Sequence, residues 1–298
     1  MNKIKVAVIG YGNLGKYAIK AIESSYDMEL AGVVRRDAKD IPCELKNKKV
    51  VDKIDKLGLV DVALLCVPSR NVEQFSKEIL EKGINTVDSF DIHSDIFDLK
   101  MKLNGIAKKN ESKAIIACGW DPGIDSTIRA LLKATIPSGI TFTNFGPGMS
   151  LGHSVVAKSK KGVLDAMVMT MPVGDGIHRR VVYLETEEGS KFDEICKEIK
   201  NDSYFINDET RFIKVDNIKD VIDMGHGVCI TRKGSSSATD NQLVKFDMRI
   251  NSPALTAQTM VAYARACMRV EPGAYTTIEI PVLKLLPGSE EDIIKGLV

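Results

Sequence analysis

The chain predicts an α/β fold: a doubly wound parallel sheet joined to an α+β domain with an open mixed sheet. Three observations lead there. Short continuous apolar runs alternate with helical patterns over roughly the first 120 residues. The first of these runs ends in Gly10-Tyr11-Gly12-Asn13-Leu14-Gly15 and opens onto a helical pattern. Later, apolar and polar positions alternate, as at Phe246, Met248 and Ile250 against Asp247 and Arg249. Continuous apolar strands suit a sheet covered on both faces, and alternation suits a half-exposed antiparallel strand.

Taken in order, strands are expected over 4–9, 28–34, 60–67, 84–87 and 114–118, with helices over 13–24 and 72–81. Pro68 ends the third strand and Gly83 stops the second helix. Right-handed crossovers then give the doubly wound order. In the second part, strands are expected over 141–145, 163–171, 181–186, 228–232 and 243–250, and helices over 153–160 and 191–201. A long amphipathic helix follows over 253–269, with Pro253 in its first turn. The expected domains are 1–120 for dinucleotide binding and 121–251 for substrate binding and dimerisation, with 252–298 returning to the first.

The glycine turn specifies the first ligand. Gly10 allows the tight turn, Gly12 admits a pyrophosphate to the backbone, and Gly15 lets helix and strand pack closely. Together with Asn13 and Leu14 this is the Rossmann-type dinucleotide fingerprint in its strand–turn–helix context. The next strand ends in Arg35-Arg36, where an NAD enzyme usually carries an acid for the ribose hydroxyl. Two guanidiniums suit a 2′-phosphate instead, so the cofactor expected is NADP(H).

Composition narrows the class. The 298 residues are 44% hydrophobic and 27% charged with a net charge of +1, which gives no reason to expect nucleic acid or an anionic membrane as partner. No apolar run approaches the ~20 residues of a membrane span, and the N-terminus lacks a signal-peptide layout. The six cysteines are scattered without a C-x-x-C pair, as expected of reduced thiols in a cytoplasmic protein. No His and Cys spacing resembles a metal site.

Ligands in such sheets sit beyond the carboxyl ends of the strands. That rule adds Cys66, Val67, Ser69, Asn71 and Ser89 to the cofactor contacts. It also brings Asp88, Asp91, Trp120 and Asp121 to one rim. A carboxylate beside a nicotinamide can hold an amine and assist its deprotonation, so that the nitrogen lone pair drives hydride departure. The alternative for Asp88 and Asp121 is a turn or cap, since Asp121-Pro122-Gly123 has turn chemistry. In the second part, Thr170, one arginine of Arg179-Arg180 and His226 would make a carboxylate clamp, although a histidine between Gly225 and Gly227 also suits a plain turn.

Several segments together closely resemble meso-diaminopimelate dehydrogenase: the glycine turn, Arg35-Arg36, Thr86-Val87-Asp88-Ser89-Phe90-Asp91-Ile92-His93 and Gly119-Trp120-Asp121-Pro122-Gly123. Phe145-Gly146-Pro147-Gly148-Met149-Ser150-Leu151-Gly152-His153-Ser154, Met224-Gly225-His226-Gly227 and Pro253-Ala254-Leu255-Thr256-Ala257 extend the likeness almost end to end. The resemblance implies a homodimer that deaminates meso-2,6-diaminopimelate oxidatively at its D-centre, using NADP, in lysine and cell-wall precursor synthesis. It implies Asp91, Trp120 and Asp121 as catalytic residues around the D-amino acid end, with Gly123 and Ile124 beside them. Phe145 stands where some members have tryptophan, and Thr170, Arg180 and His226 hold the distal carboxylate.

Two features set this chain apart. The loop between Met171-Pro172 and His178 is short, as in a compact subgroup. The Asn-Pro expected before the last long helix is here Asn251-Ser252-Pro253, so Asn251 and Ser252 share the substrate-binding assignment. Other readings are a broader D-amino acid dehydrogenase or another lysine-pathway NADP reductase, a semialdehyde-type enzyme with Cys118 as nucleophile, and an NADPH sensor without turnover.

Overall fold

The structure is a computed structural model and describes residues 3–37, 41–222 and 225–298. Along the chain run β1 (Ile4–Ile9), α1 (Asn13–Glu23), β2 (Met28–Val34), β3 (Val50–Val51), β4 (Val62–Leu65), α2 (Ser69–Leu80), β5 (Asn85–Asp88), α3 (Ile96–Lys109), β6 (Lys113–Ile116) and α4 (Ile124–Thr135). Then come β7 (Ser138–Phe145), β8 (Gly148–Met149), α5 (Leu151–Lys158), β9 (Val163–Gly174), β10 (Ile177–Thr186), α6 (Phe192–Lys200) and β11 (Glu209–Lys214). The chain closes with β12 (Gly225–Ser236), β13 (Thr239–Asn251), α7 (Ser252–Cys267), β14 (Gly273–Thr276) and α8 (Glu290–Leu297). Two compact units result, Met1–Ala130 with Pro253–Val298, and Leu131–Ser252.

The first unit holds a parallel sheet in the order β14-β6-β5-β4-β1-β2-β3. Its central strands are apolar because they are covered on both faces: Val6, Ala7, Val8 and Val62 to Leu65 are fully buried. α7 packs Ala257, Met260, Val261 and Ala264 into the same core as Val6, Val8, Ile19 and Ile22. It is buried almost all round from Thr256 to Cys267, so the amphipathic helix expected there is corrected to a core helix. Arg265 fixes its end by forking onto both carboxylate oxygens of Asp27, at 2.5 and 3.0 Å. The boundary with the second unit falls inside α4 rather than at residue 120, because Gly119 to Gly123 bridge to each other and Thr277 donates to the Gly123 carbonyl.

The second unit contains the open mixed sheet expected and, beside it in the chain, a second sheet. One is β11-β10-β9-β8, in which only β11 runs parallel to its neighbour; the other is an antiparallel β13-β12-β7. Asp175 and Gly176, both with positive φ (51° and 81°), join β9 to β10 as a two-residue turn. That is the Asp-Gly chemistry a type I′ hairpin requires. Arg232 is 5% exposed, and among the described residues it bonds to no carboxylate. Its guanidinium instead donates to the carbonyls of Ile136, Pro137 and Gly139, ending α4.

Candidate active site

The glycine turn has the geometry its sequence predicts. Gly10 has φ +98°, and a Cβ there would lie 2.4 Å from the Cys66 carbonyl oxygen. A Cβ on Gly15 would lie 2.3 Å from the Gly10 carbonyl oxygen. At Gly12 a Cβ would meet nothing within 4 Å, so the backbone at the start of α1 is open to an anion. A cleft of about 560 Å³ runs from this turn to the end of β2 and is lined by Gly10, Gly12, Arg35, Arg36, Cys66 and Asn71. Its size, open amides and arginine-lined end fit a dinucleotide.

Val67 and Pro68 also line this cleft, and Ser69 follows at the start of α2. The Ser69 hydroxyl donates to Asp91 Oδ1 at 2.5 Å, and the Asp91 amide donates back to Ser69 Oγ at 3.3 Å. The cleft edge and the rim carboxylate are therefore tied together. Asp91 is exposed, whereas Asp121 is largely buried, with Oδ1 lacking a hydrogen-bond partner. His93 Nε2 lies 3.9 Å from that oxygen. Burial pushes the Asp121 carboxyl up to about 7, with neighbouring Asp125 adding to the rise and Arg129 opposing it. Trp120 bridges by its backbone to Gly123, and Ile124 begins α4.

The structure separates Asp88 from this group. It is fully buried, and its Oδ1 accepts the amides of Phe90 (2.9 Å) and Ala117 (3.1 Å), pinning the segments after β5 and β6. Ser89 follows it and is half-buried. Cys118 is also fully buried, with its thiol pushed up chiefly by burial, so the nucleophile reading is corrected to a core residue.

In the second unit, strand register brings together the residues expected to form the clamp. Arg180 pairs with Thr170, and Thr170 with Gly148. A Cβ on Gly148 would lie 3.0 Å from His226 Nδ1, so the absent side chain makes room for the imidazole. The Gly146 amide donates to the Gly227 carbonyl at 2.6 Å, which brings Phe145 to the same end. Arg180 donates to the Thr170 hydroxyl, and through Nε to Asp208 at 2.6 Å. The His178 ring accepts the Phe145 amide at 2.8 Å. Arg179 instead faces Glu209, with Nη2 2.9 Å from Oε2, so Arg180 is the inward arginine. Asn251 pairs in register with Gly225, and Ser252 opens α7. Met224 lies outside the described residues.

Residues 119–179 match the family model described as the diaminopimelic acid dehydrogenase C-terminal domain, and residues 1–91 the one described as a CoA binding domain. Over its whole length, and the whole length of that protein, the chain is 54% identical to the meso-diaminopimelate D-dehydrogenase of Bacteroides fragilis. The chain belongs to the meso-diaminopimelate dehydrogenase family. Among solved structures it is similar to the C. glutamicum diaminopimelate dehydrogenase in complex with diaminopimelate, with a TM-score of 0.81 and 28% identity over all of both chains. It is also similar to an engineered D-amino acid dehydrogenase bound to NADP+, with a TM-score of 0.74 and 25% identity over all of both chains.

Within this family frame, the sequence reading passed over His93, Asp125, Arg129 and Asp208, which the structure brings against predicted site residues. The spacing of four between Asp125 and Arg129 was the available signal for that pair, since such residues share a helix face. Among the described residues, no group of three or more His, Cys, Asp or Glu side chains is placed to hold a metal.

Proposed function

We propose that this chain catalyses the NADP-dependent oxidative deamination of meso-2,6-diaminopimelate at its D-centre, giving L-2-amino-6-oxopimelate, ammonia and NADPH. The observation that carries the reading is the Ser69–Asp91 hydrogen bond, which sets a rim carboxylate at the edge of the arginine-lined cleft. Bound NADP+ would supply the hydride acceptor. Gly10, Gly12, Asn13, Leu14 and Gly15 would cradle its pyrophosphate, and Arg35 and Arg36 its 2′-phosphate. Cys66, Val67, Ser69, Asn71 and Ser89 would edge its nicotinamide half.

Asp91 and Asp121 hold the D-centre ammonium as acceptors, with Trp120, Gly123 and Ile124 shaping the pocket around them. Asp121 takes one proton from that ammonium, leaving the nitrogen lone pair to form the imine as hydride departs. Water then adds to the imine carbon and ammonia leaves. Thr170, Arg180 and His226 bind the distal L-centre carboxylate, with Phe145 as an aromatic wall and Asn251 or Ser252 as a further contact.

The six cysteines suit a reduced, cytoplasmic protein, and the family resemblance a homodimer working in lysine and diaminopimelate synthesis. Product analysis tests the chemistry: ammonia and NADPH should appear in equal amounts, beside an oxo acid that keeps its L-centre. NADPH formed without ammonia contradicts the reading.

A further inference from the structure

Oxidative deamination releases a proton: substrate ammonium, NADP+ and water become oxo acid, ammonium ion, NADPH and one H+. This inference rests on the reading above, in which Asp121 takes that proton. Asp121 has a side chain only 15% exposed and must hand the proton on before the next turnover.

One neighbour bears on that step. Asp121 Oδ1, which has no hydrogen-bond partner, lies 3.9 Å from His93 Nε2. The His93 side chain is 60% exposed, so its ring spans the distance between a buried carboxyl and water. A small ring movement or one bridging water closes 3.9 Å to hydrogen-bond range.

We infer that His93 carries the proton from Asp121 to solvent. Nε2 accepts the proton from Asp121 Oδ1 as the O–H bond breaks; the imidazolium then gives a proton to buffer or water. The charged or titratable groups that reach Asp121 are Asp125 and Arg129 from α4 and His93 from the segment between β5 and α3. Burial, and then Asp125, push Asp121 up to about 7.

The experiment follows proton release with a pH indicator in weak buffer, alongside NADPH absorbance, during turnover of meso-diaminopimelate. In the unaltered protein both signals should rise together; if neither appears, the proposed deamination fails rather than the relay. In His93→Ala and His93→Gln, kcat should fall on the order of tenfold or more, KM for substrate should stay put, and added imidazole should restore the rate. Unchanged kcat at low buffer, or a loss that imidazole does not restore, overturns the role of His93.

Discussion

Ser69 and Asp91 are hydrogen-bonded in both directions, hydroxyl to carboxylate at 2.5 Å and amide to hydroxyl at 3.3 Å. The serine opens α2 directly behind cleft-lining Pro68, so a rim carboxylate is positioned by the cofactor edge itself. Asp91→Asn should lower kcat/KM for the amino acid by about 1.5–3 kcal/mol, the worth of a hydrogen bond to a charged group. Ser69→Ala should lose less. Steady-state kinetics with saturating cofactor checks this, and an equal or larger loss in the serine variant contradicts it.

Arg35 and Arg36 line the end of the cleft beyond β2. Replacing both with Ala should weaken NADPH by about 1.5–3 kcal/mol for each charged hydrogen bond lost, and NADH far less. Titration of both cofactors measures the difference. Equal losses would remove the 2′-phosphate assignment.

Arg180 uses Nε for Asp208 and Nη1 for Thr170, so its fork is held in one plane. Arg180→Lys should raise KM for meso-diaminopimelate nearly as much as Arg180→Ala, on the order of tenfold to a hundredfold, because an ammonium cannot reproduce the planar fork. Cofactor affinity should not change. A lysine variant with unaltered KM shows that only charge matters.

Asp88 gives a prediction about stability. Burial pushes its carboxyl up to about 6, against the pull of the Phe90 and Ala117 amides. The folded state therefore favours the protonated form. That stability is complete below the ordinary carboxylate value near pH 4 and is lost as pH rises through about 6. Asp88→Asn keeps an acceptor oxygen for both amides and carries no charge. Its advantage over the unaltered protein should grow by about 1.4 kcal/mol between pH 5 and pH 8. Urea unfolding at both pH values checks this; a gap that does not widen with pH contradicts it.

Much of the nucleotide unit is legible because its constraints are local. The glycine turn, its flanking strand and Arg35-Arg36 lie within one short stretch, and each glycine has a backbone reason. The edge strand β14 is not legible, because Gly273–Thr276 has no partner until α7 brings it beside β6. α7 itself misleads, since helical periodicity cannot reveal that both faces are buried. At the site, Asp91 and Asp121 are marked by their place after strands. Asp88 sits in the same kind of place, and only its buried amide partners reveal a structural task. Asp208 is invisible in sequence because it lies in a loop and reaches Arg180 across β10 and β11.

The most direct test is NADPH formation from single stereoisomers of diaminopimelate. A rim that handles a D-centre, with a clamp for a distal L-centre carboxylate, should reduce NADP+ with the meso isomer and almost not at all with the LL isomer. Equal rates on the two isomers would contradict the account.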